Sequence, residues 1–208
     1  MVGFTRTLAA CTALAAFFAL GSAHATTINF SSPGGTLGTS QAYGPIVAYG
    51  FTAPTTGSKA GQLTAHKLFG KTDGGSETGL GLSGTFDNEI NTPTGSQAIV
   101  LDISKLSGQD IKIGFGSVQS EEGWRVGFSS SATLPTNESA FSAYMSGTTD
   151  YPALTDLGVT TANYLIVEAT SGNVLLTSLS SVPEPASISL LGAGLAGIGM
   201  VRRRRRAA

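Results

Sequence analysis

The strongest constraint on the fold is a two-residue hydrophobic period that returns several times between residues 26 and 181. In SQAIVLDI, residues 96–103, Ile99, Leu101 and Ile103 fall on one side of an extended chain, with Val100 and Asp102 on the other. In DIKIGFGSV, residues 110–118, Ile111, Ile113 and Phe115 form the apolar side, opposed by Lys112, Gly114 and Gly116. GWRVGFSS, residues 123–130, sets Trp124, Val126 and Phe128 against Arg125 and Gly127. A helix would scatter such sets around its surface, whereas a half-buried strand gathers each on one face. Further strands are expected at 27–30, 46–52, 62–69, 164–169 and 174–179. Turn clusters separate them, among them Ser31-Ser32-Pro33-Gly34-Gly35, Asp73-Gly74-Gly75, Ser107-Gly108-Gln109 and Ser171-Gly172-Asn173. Short helical turns are expected at 140–145 and 153–157. The pattern predicts an all-β body: an antiparallel β-sandwich, with a jelly-roll order as one form of it, and not a parallel α/β fold.

The two ends have a different grammar. Residues 1–25 carry Arg6, an apolar run at 8–20 and the small-residue pattern Ala23-His24-Ala25, which predicts a secretory signal peptide cut before Thr26. Cys11, the single cysteine of the 208 residues, falls inside it, so the mature body has no thiol and no disulfide. Residues 188–201 are apolar; extended back to Val182 they are long enough for a membrane helix. Arg202, Arg203, Arg204, Arg205 and Arg206 follow, and their desolvation cost keeps that end in the cytoplasm. Pro183 and Pro185 make Val182-Pro183-Glu184-Pro185 a stiff extended stalk. The expected organisation is thus a signal peptide (1–25), a β body (26–181) and a sorting tail (182–208), with the precursor in the inner membrane and its body periplasmic. Between 26 and 181, six basic side chains face twelve acidic ones, a net of −6. Such a body repels phosphate backbones, which argues against nucleic-acid binding.

Taken in order, Pro183-Glu184-Pro185, the Leu190-Leu191-Gly192 and Gly194-Leu195 run and the terminal arginines resemble the PEP-CTERM sorting signal of Gram-negative bacteria. The resemblance implies recognition by an exosortase, a membrane-embedded cysteine transpeptidase-like enzyme. It further implies removal of the tail and delivery of the body to the cell surface or into extracellular polysaccharide and biofilm.

Within the body, Asp73, Glu77, Asp87, Asn88 and Glu89 gather oxygens around flexible glycines, a composition that could coordinate calcium, although the stretch lacks EF-hand spacing and acidic loop residues are more often simply solvated. Glu122, Trp124 and Arg125 form a candidate glycan-binding set: a ring to stack on a sugar, with charged groups for its hydroxyls. The alternation of Trp124 with core residues favours packing instead. Tyr43, Tyr49, Tyr144, Tyr151 and Tyr164 are further platforms that the sequence does not rank. GLGLSG, residues 79–84, fits a dinucleotide-loop pattern, but without a βαβ setting it reads as glycine packing. His66 is the one histidine of the body, and no nucleophile elbow accompanies it. The expectation is therefore a non-enzymatic matrix or structural protein. A carbohydrate-binding module is the alternative, and a polysaccharide hydrolase using a carboxylate pair the remote one.

Overall fold

The computed structural model describes residues 25–92 and 96–183. The expected signal peptide and C-terminal membrane helix, and with them Ala23, Glu184, Pro185 and the arginines at 202–206, lie outside the described residues. Among the described residues no helix is long and apolar enough to cross a membrane.

The described residues form strands β1 (Thr26–Asn29), β2 (Gly35–Thr36), β3 (Ser40–Tyr43), β4 (Ile46–Ala53), β5 (Thr64–His66), β6 (Leu68–Thr72), β7 (Thr78–Leu82) and β8 (Ile90–Asn91). They continue with β9 (Ser96–Asp102), β10 (Gln109–Gly116), β11 (Gly123–Ser129), β12 (Ser142–Gly147), β13 (Leu154–Thr160), β14 (Tyr164–Ser171) and β15 (Asn173–Pro183). Two sheets result. One runs β13-β10-β15-β7-β6-β2, with β1 and β8 also pairing β15; the other runs β12-β11-β14-β9-β4-β3, with β5 beside β4. The body is all-β, and its sheets are antiparallel, as the alternation predicts.

The predicted inward sets form the core. Ile111, Ile113 and Phe115 of the first sheet belong to the same buried cluster as Ile99, Leu101, Trp124 and Val126 of the second. One apolar cluster drawn from two sheets is what facing layers produce. The strand at β9 differs from expectation in one respect. Its opposite side is buried too, because Ala98 and Val100 join Phe51, Tyr164 and Ile166 in a second cluster. Leu63, Leu134 and Phe141, from the connections after β4 and β11, close over that face. These connections are stitched together by Leu63 N–H to Thr136 O (2.9 Å) and Glu138 N–H to Gly61 O (2.8 Å).

Three expectations are corrected. Residues 140–145 are not a helical turn: a 3-10 turn ends at Ala140 and β12 follows, pairing β11 from Trp124↔Gly147 to Phe128↔Ser142. Residues 153–157 lie mostly in β13, paired to β10. Both are edge strands whose exposed side chains carry no strong alternation, so the ladder and not the pattern fixes them. Residues 62–69 are two strands: β5 pairs β4 and β6 pairs β7, so the chain changes sheet at Lys67.

The glycine-rich stretch 79–84 includes most of β7. A Cβ on Gly81 would come within 2.1 Å of Asn88 O, and one on Gly79 within 2.7 Å of Leu176 O. Close backbone approach explains these glycines without any nucleotide.

Candidate functional site

Trp124 is 2% exposed and stacks on Phe115, with ring centroids 4.2 Å apart. Its Nε1 donates to Thr149 O (3.1 Å), and Gly147 leaves room for its ring. Packing therefore claims it. Arg125 projects from the opposite side of β11. Its Nε donates to Glu168 Oε2 (2.8 Å), and its guanidinium lies 4.8 Å from the centre of the Tyr144 ring. Tyr144 rests over Gly127, where any Cβ would meet its ring. Glu122 accepts from Gln119 N–H (2.8 Å) and Asn173 N–H (3.3 Å), capping a turn. Glu122, Trp124 and Arg125 thus do three separate structural jobs and share no common face.

The proposed metal ligands divide likewise. Glu77 and Glu89 converge, but on Lys71, whose Nζ donates to Glu77 Oε2 (2.6 Å) and Glu89 Oε1 (2.5 Å). The Ser117 hydroxyl lies 3.0 Å from an oxygen of each, and Asn173 Nδ2 donates to Glu89 Oε2 (2.5 Å). Asp73 is exposed and Asn88 Oδ1 accepts from Gly84 N–H (3.0 Å), so neither they nor the exposed Asp87 enter this cluster. Among the described residues, no three His, Cys, Asp or Glu stand close enough together to hold a metal ion. An ammonium occupies the place between Glu77 and Glu89 that a cation would take.

The electrostatics follow from one lysine serving two acids. Burial alone lowers the Lys71 pKa, but its hydrogen bonds to Glu77 and Glu89 outweigh that and hold it above the ordinary lysine value. Glu77 faces the same burial penalty, yet the bonds from Lys71 and Ser117 hold it below the usual carboxylate range. Glu89 is 1% exposed, and for it burial wins over Lys71, Asn173 and Ser117, so its pKa is raised. Sequence reasoning missed Lys71, Ser117 and Asn173, which lie far apart along the chain and in no motif.

A second cluster surrounds Arg125. Glu168, 2% exposed, is raised by burial, an effect that Arg125 opposes and Glu138 reinforces. One oxygen each of Glu168 and Glu138 is buried without a hydrogen-bond partner. Tyr144 is pushed up to about 12, first by burial and then by Glu168. Here the sequence held a signal, a charge inside the apolar run YLIVEA at 164–169.

The remaining candidates are quickly placed. His66 Nε2 donates to Ser83 O (2.7 Å), joining the segment after β7 to β5. Tyr43 packs edge-on against Phe30 and Tyr164 is buried in the second apolar cluster, with Tyr49 against it. Tyr151, 52% exposed, stands beside a surface groove of ≈ 400 Å³.

Comparison with known proteins locates one family model on the chain: the PEP-CTERM protein-sorting motif matches residues 181–206. No curated protein and no solved structure matches. The matched segment contains Pro183-Glu184-Pro185, the apolar run and the arginines, and it marks an exported protein that an exosortase recognises and processes.

Proposed function

We propose that this exported, exosortase-processed chain supplies the cell surface or extracellular polysaccharide matrix with a non-enzymatic β-sandwich of structural role. The observation that carries this reading is where the sorting motif begins. It starts at Ser181, the residue at which β15 pairs with Thr26 of β1. A cut beyond β15 therefore removes the tail while both terminal strands of the body keep their ladder. In this scheme signal peptidase cuts after Ala25, the apolar tail holds the precursor in the inner membrane, and exosortase cleavage frees or attaches the body.

The use made of the ionisable side chains supports the structural role. Glu77, Glu89 and Glu168 are each bonded to a cation, and His66 and Glu122 are bonded to backbone groups. A general acid or base needs reach to a substrate proton, and these groups fasten the fold instead. Calcium has no part in the scheme, since Lys71 supplies the charge between Glu77 and Glu89.

Mass spectrometry of the protein recovered from its host tests the reading. The expected species begins at Thr26 and ends near Pro183; intact chain recovered from the cytosol overturns it. Release of reducing ends from a polysaccharide by the purified protein would overturn the non-enzymatic part. Thermal melting with and without chelator should give the same midpoint, and a chelator-dependent drop would restore calcium.

A further inference from the structure

The register of β1 and β15 places a row of small polar side chains on the side of the first sheet away from the core. Ile28 and Leu179 are partners and both are core residues, so Thr27 and Asn29, which flank Ile28, face outward. Two residues, Thr177 and Ser178, separate the core leucines Leu176 and Leu179, where strict alternation would leave one. Both turn outward: a Cβ on Gly114, which lies between core residues Ile113 and Phe115, would meet Ser178 Oγ at 2.5 Å and Thr177 Oγ1 at 2.8 Å. Thr27, Asn29, Thr177 and Ser178 line the ≈ 400 Å³ groove together with Thr78 and Tyr151.

Three properties of the groove define what fits it. It is lined by hydroxyls, an amide and an aromatic ring, with no charged side chain. Its polar groups have capacity to spare. Asn29 Oδ1 is occupied by Ser31 N–H (2.8 Å), which leaves the amide hydrogens of Asn29 to donate outward. Thr78 Oγ1 accepts from Gly74 N–H (2.8 Å), leaving its own hydrogen. Thr177 is 5% exposed, yet its Oγ1 has no hydrogen-bond partner, an omission that is costly unless something else supplies one. Tyr151, at 52%, is more exposed than Tyr144, Met145, Leu154 or Val182, the other exposed large apolar side chains among the described residues. A ring so exposed at the rim of a neutral, hydroxyl-lined groove offers a face for C–H groups beside donors and acceptors for alcohols.

We infer that this groove binds a neutral saccharide, with Tyr151 stacking on a sugar ring and the Thr27, Asn29 and Ser178 side chains exchanging hydrogen bonds with its hydroxyls. The volume is at the low end for small-molecule pockets, roughly 300–1,000 Å³, and suits a mono- or disaccharide unit of a longer polymer. The body's charge of −6 disfavours uronate-rich polymers. This site is separate from the Glu122, Trp124 and Arg125 set and independent of how the chain is sorted.

The test is retention of the protein purified from its host on an array carrying neutral gluco-, manno- and galacto-oligosaccharides beside uronate oligosaccharides. Binding to neutral members is expected. Tyr151→Ala and Asn29→Ala should each weaken it by about tenfold, while Tyr151→Phe, which keeps the ring, stays within about twofold of the parent. Unchanged melting midpoints verify that the variants are folded. A blank array, binding to uronates alone, or full retention by Tyr151→Ala overturns the proposal. Termini of the same preparation, read by mass spectrometry, keep the two readings apart: correct processing with a blank array sinks the groove alone, and saccharide binding by an uncut chain sinks the sorting scheme alone.

Discussion

The Lys71 and Arg125 clusters hold the same charges, one cation against two carboxylates, and differ in how they are closed. Around Lys71 both acids meet the cation directly, and Ser117 and Asn173 bond to oxygens that remain. Around Arg125 only Glu168 is bonded, while Glu138 lies against it with a buried oxygen left open. The first cluster joins four stretches of chain: the β6–β7 hairpin with Lys71 and Glu77, and the segments of Glu89, Ser117 and Asn173. The second ties one strand pair to the segment that covers the outer face of its sheet. In a body without disulfides the contrast shows two grades of polar fastening: one whose largely buried cation is shared by two acids, and one whose partly exposed cation is bonded to a single acid.

The largest expected effect tests the first grade. Lys71→Met leaves Glu77 and Glu89 uncompensated and should cost about 3–5 kcal/mol in urea denaturation. A cost near that of Arg125→Met would erase the contrast. Next, Asn173→Ala should cost about 1–3 kcal/mol, and a double-mutant cycle with Glu89→Gln should show the two changes coupled. Full additivity would mean that the 2.5 Å contact of Asn173 with Glu89 contributes nothing.

Arg125→Met should cost less, about 1 kcal/mol at mildly acidic pH, because Arg125 is 38% exposed and Glu168 can stay protonated. The cost should grow towards neutral pH. The smallest effect is a slope. Glu168 is raised above 4.5, so the folded state keeps a proton that the unfolded chain has released; that stability is complete below 4.5 and is lost as pH climbs through the folded-state pKa. Glu168→Gln should flatten this decline in melting midpoint, and an unaltered profile would assign it elsewhere. Glu77 has the opposite sign: lowered by its partners, it adds stability that is present above 4.5 and lost as pH falls.

Strands with strong alternation were legible in the sequence to within a few residues, as at β10 and β11. Strands β12 and β13 were not, because edge residues answer to one neighbour and to water. Strand β7 was hidden by its glycines, whose purpose depends on the carbonyls of Leu176 and Asn88 arriving from elsewhere in the chain. The polar clusters were half legible: Glu77 and Glu89 stood out as acids in one stretch, and Lys71 lies only six residues from Glu77 across the β6–β7 hairpin, but Ser117 and Asn173 reach them only by tertiary folding. Tyr151 could be named as one ring among five and ranked only by its exposure.

Pairing Thr26 with Ser181 has a geometric consequence for anyone handling this molecule. Cα atoms across such a ladder lie roughly 5 Å apart, so whatever enters the globule at its beginning and whatever leaves at its finish share one doorway, a few residues from Thr27, Asn29 and Ser178. Beads, tags or lipid attached at either extremity all crowd that doorway, and the saccharide groove is best displayed by anchoring through the opposite sheet.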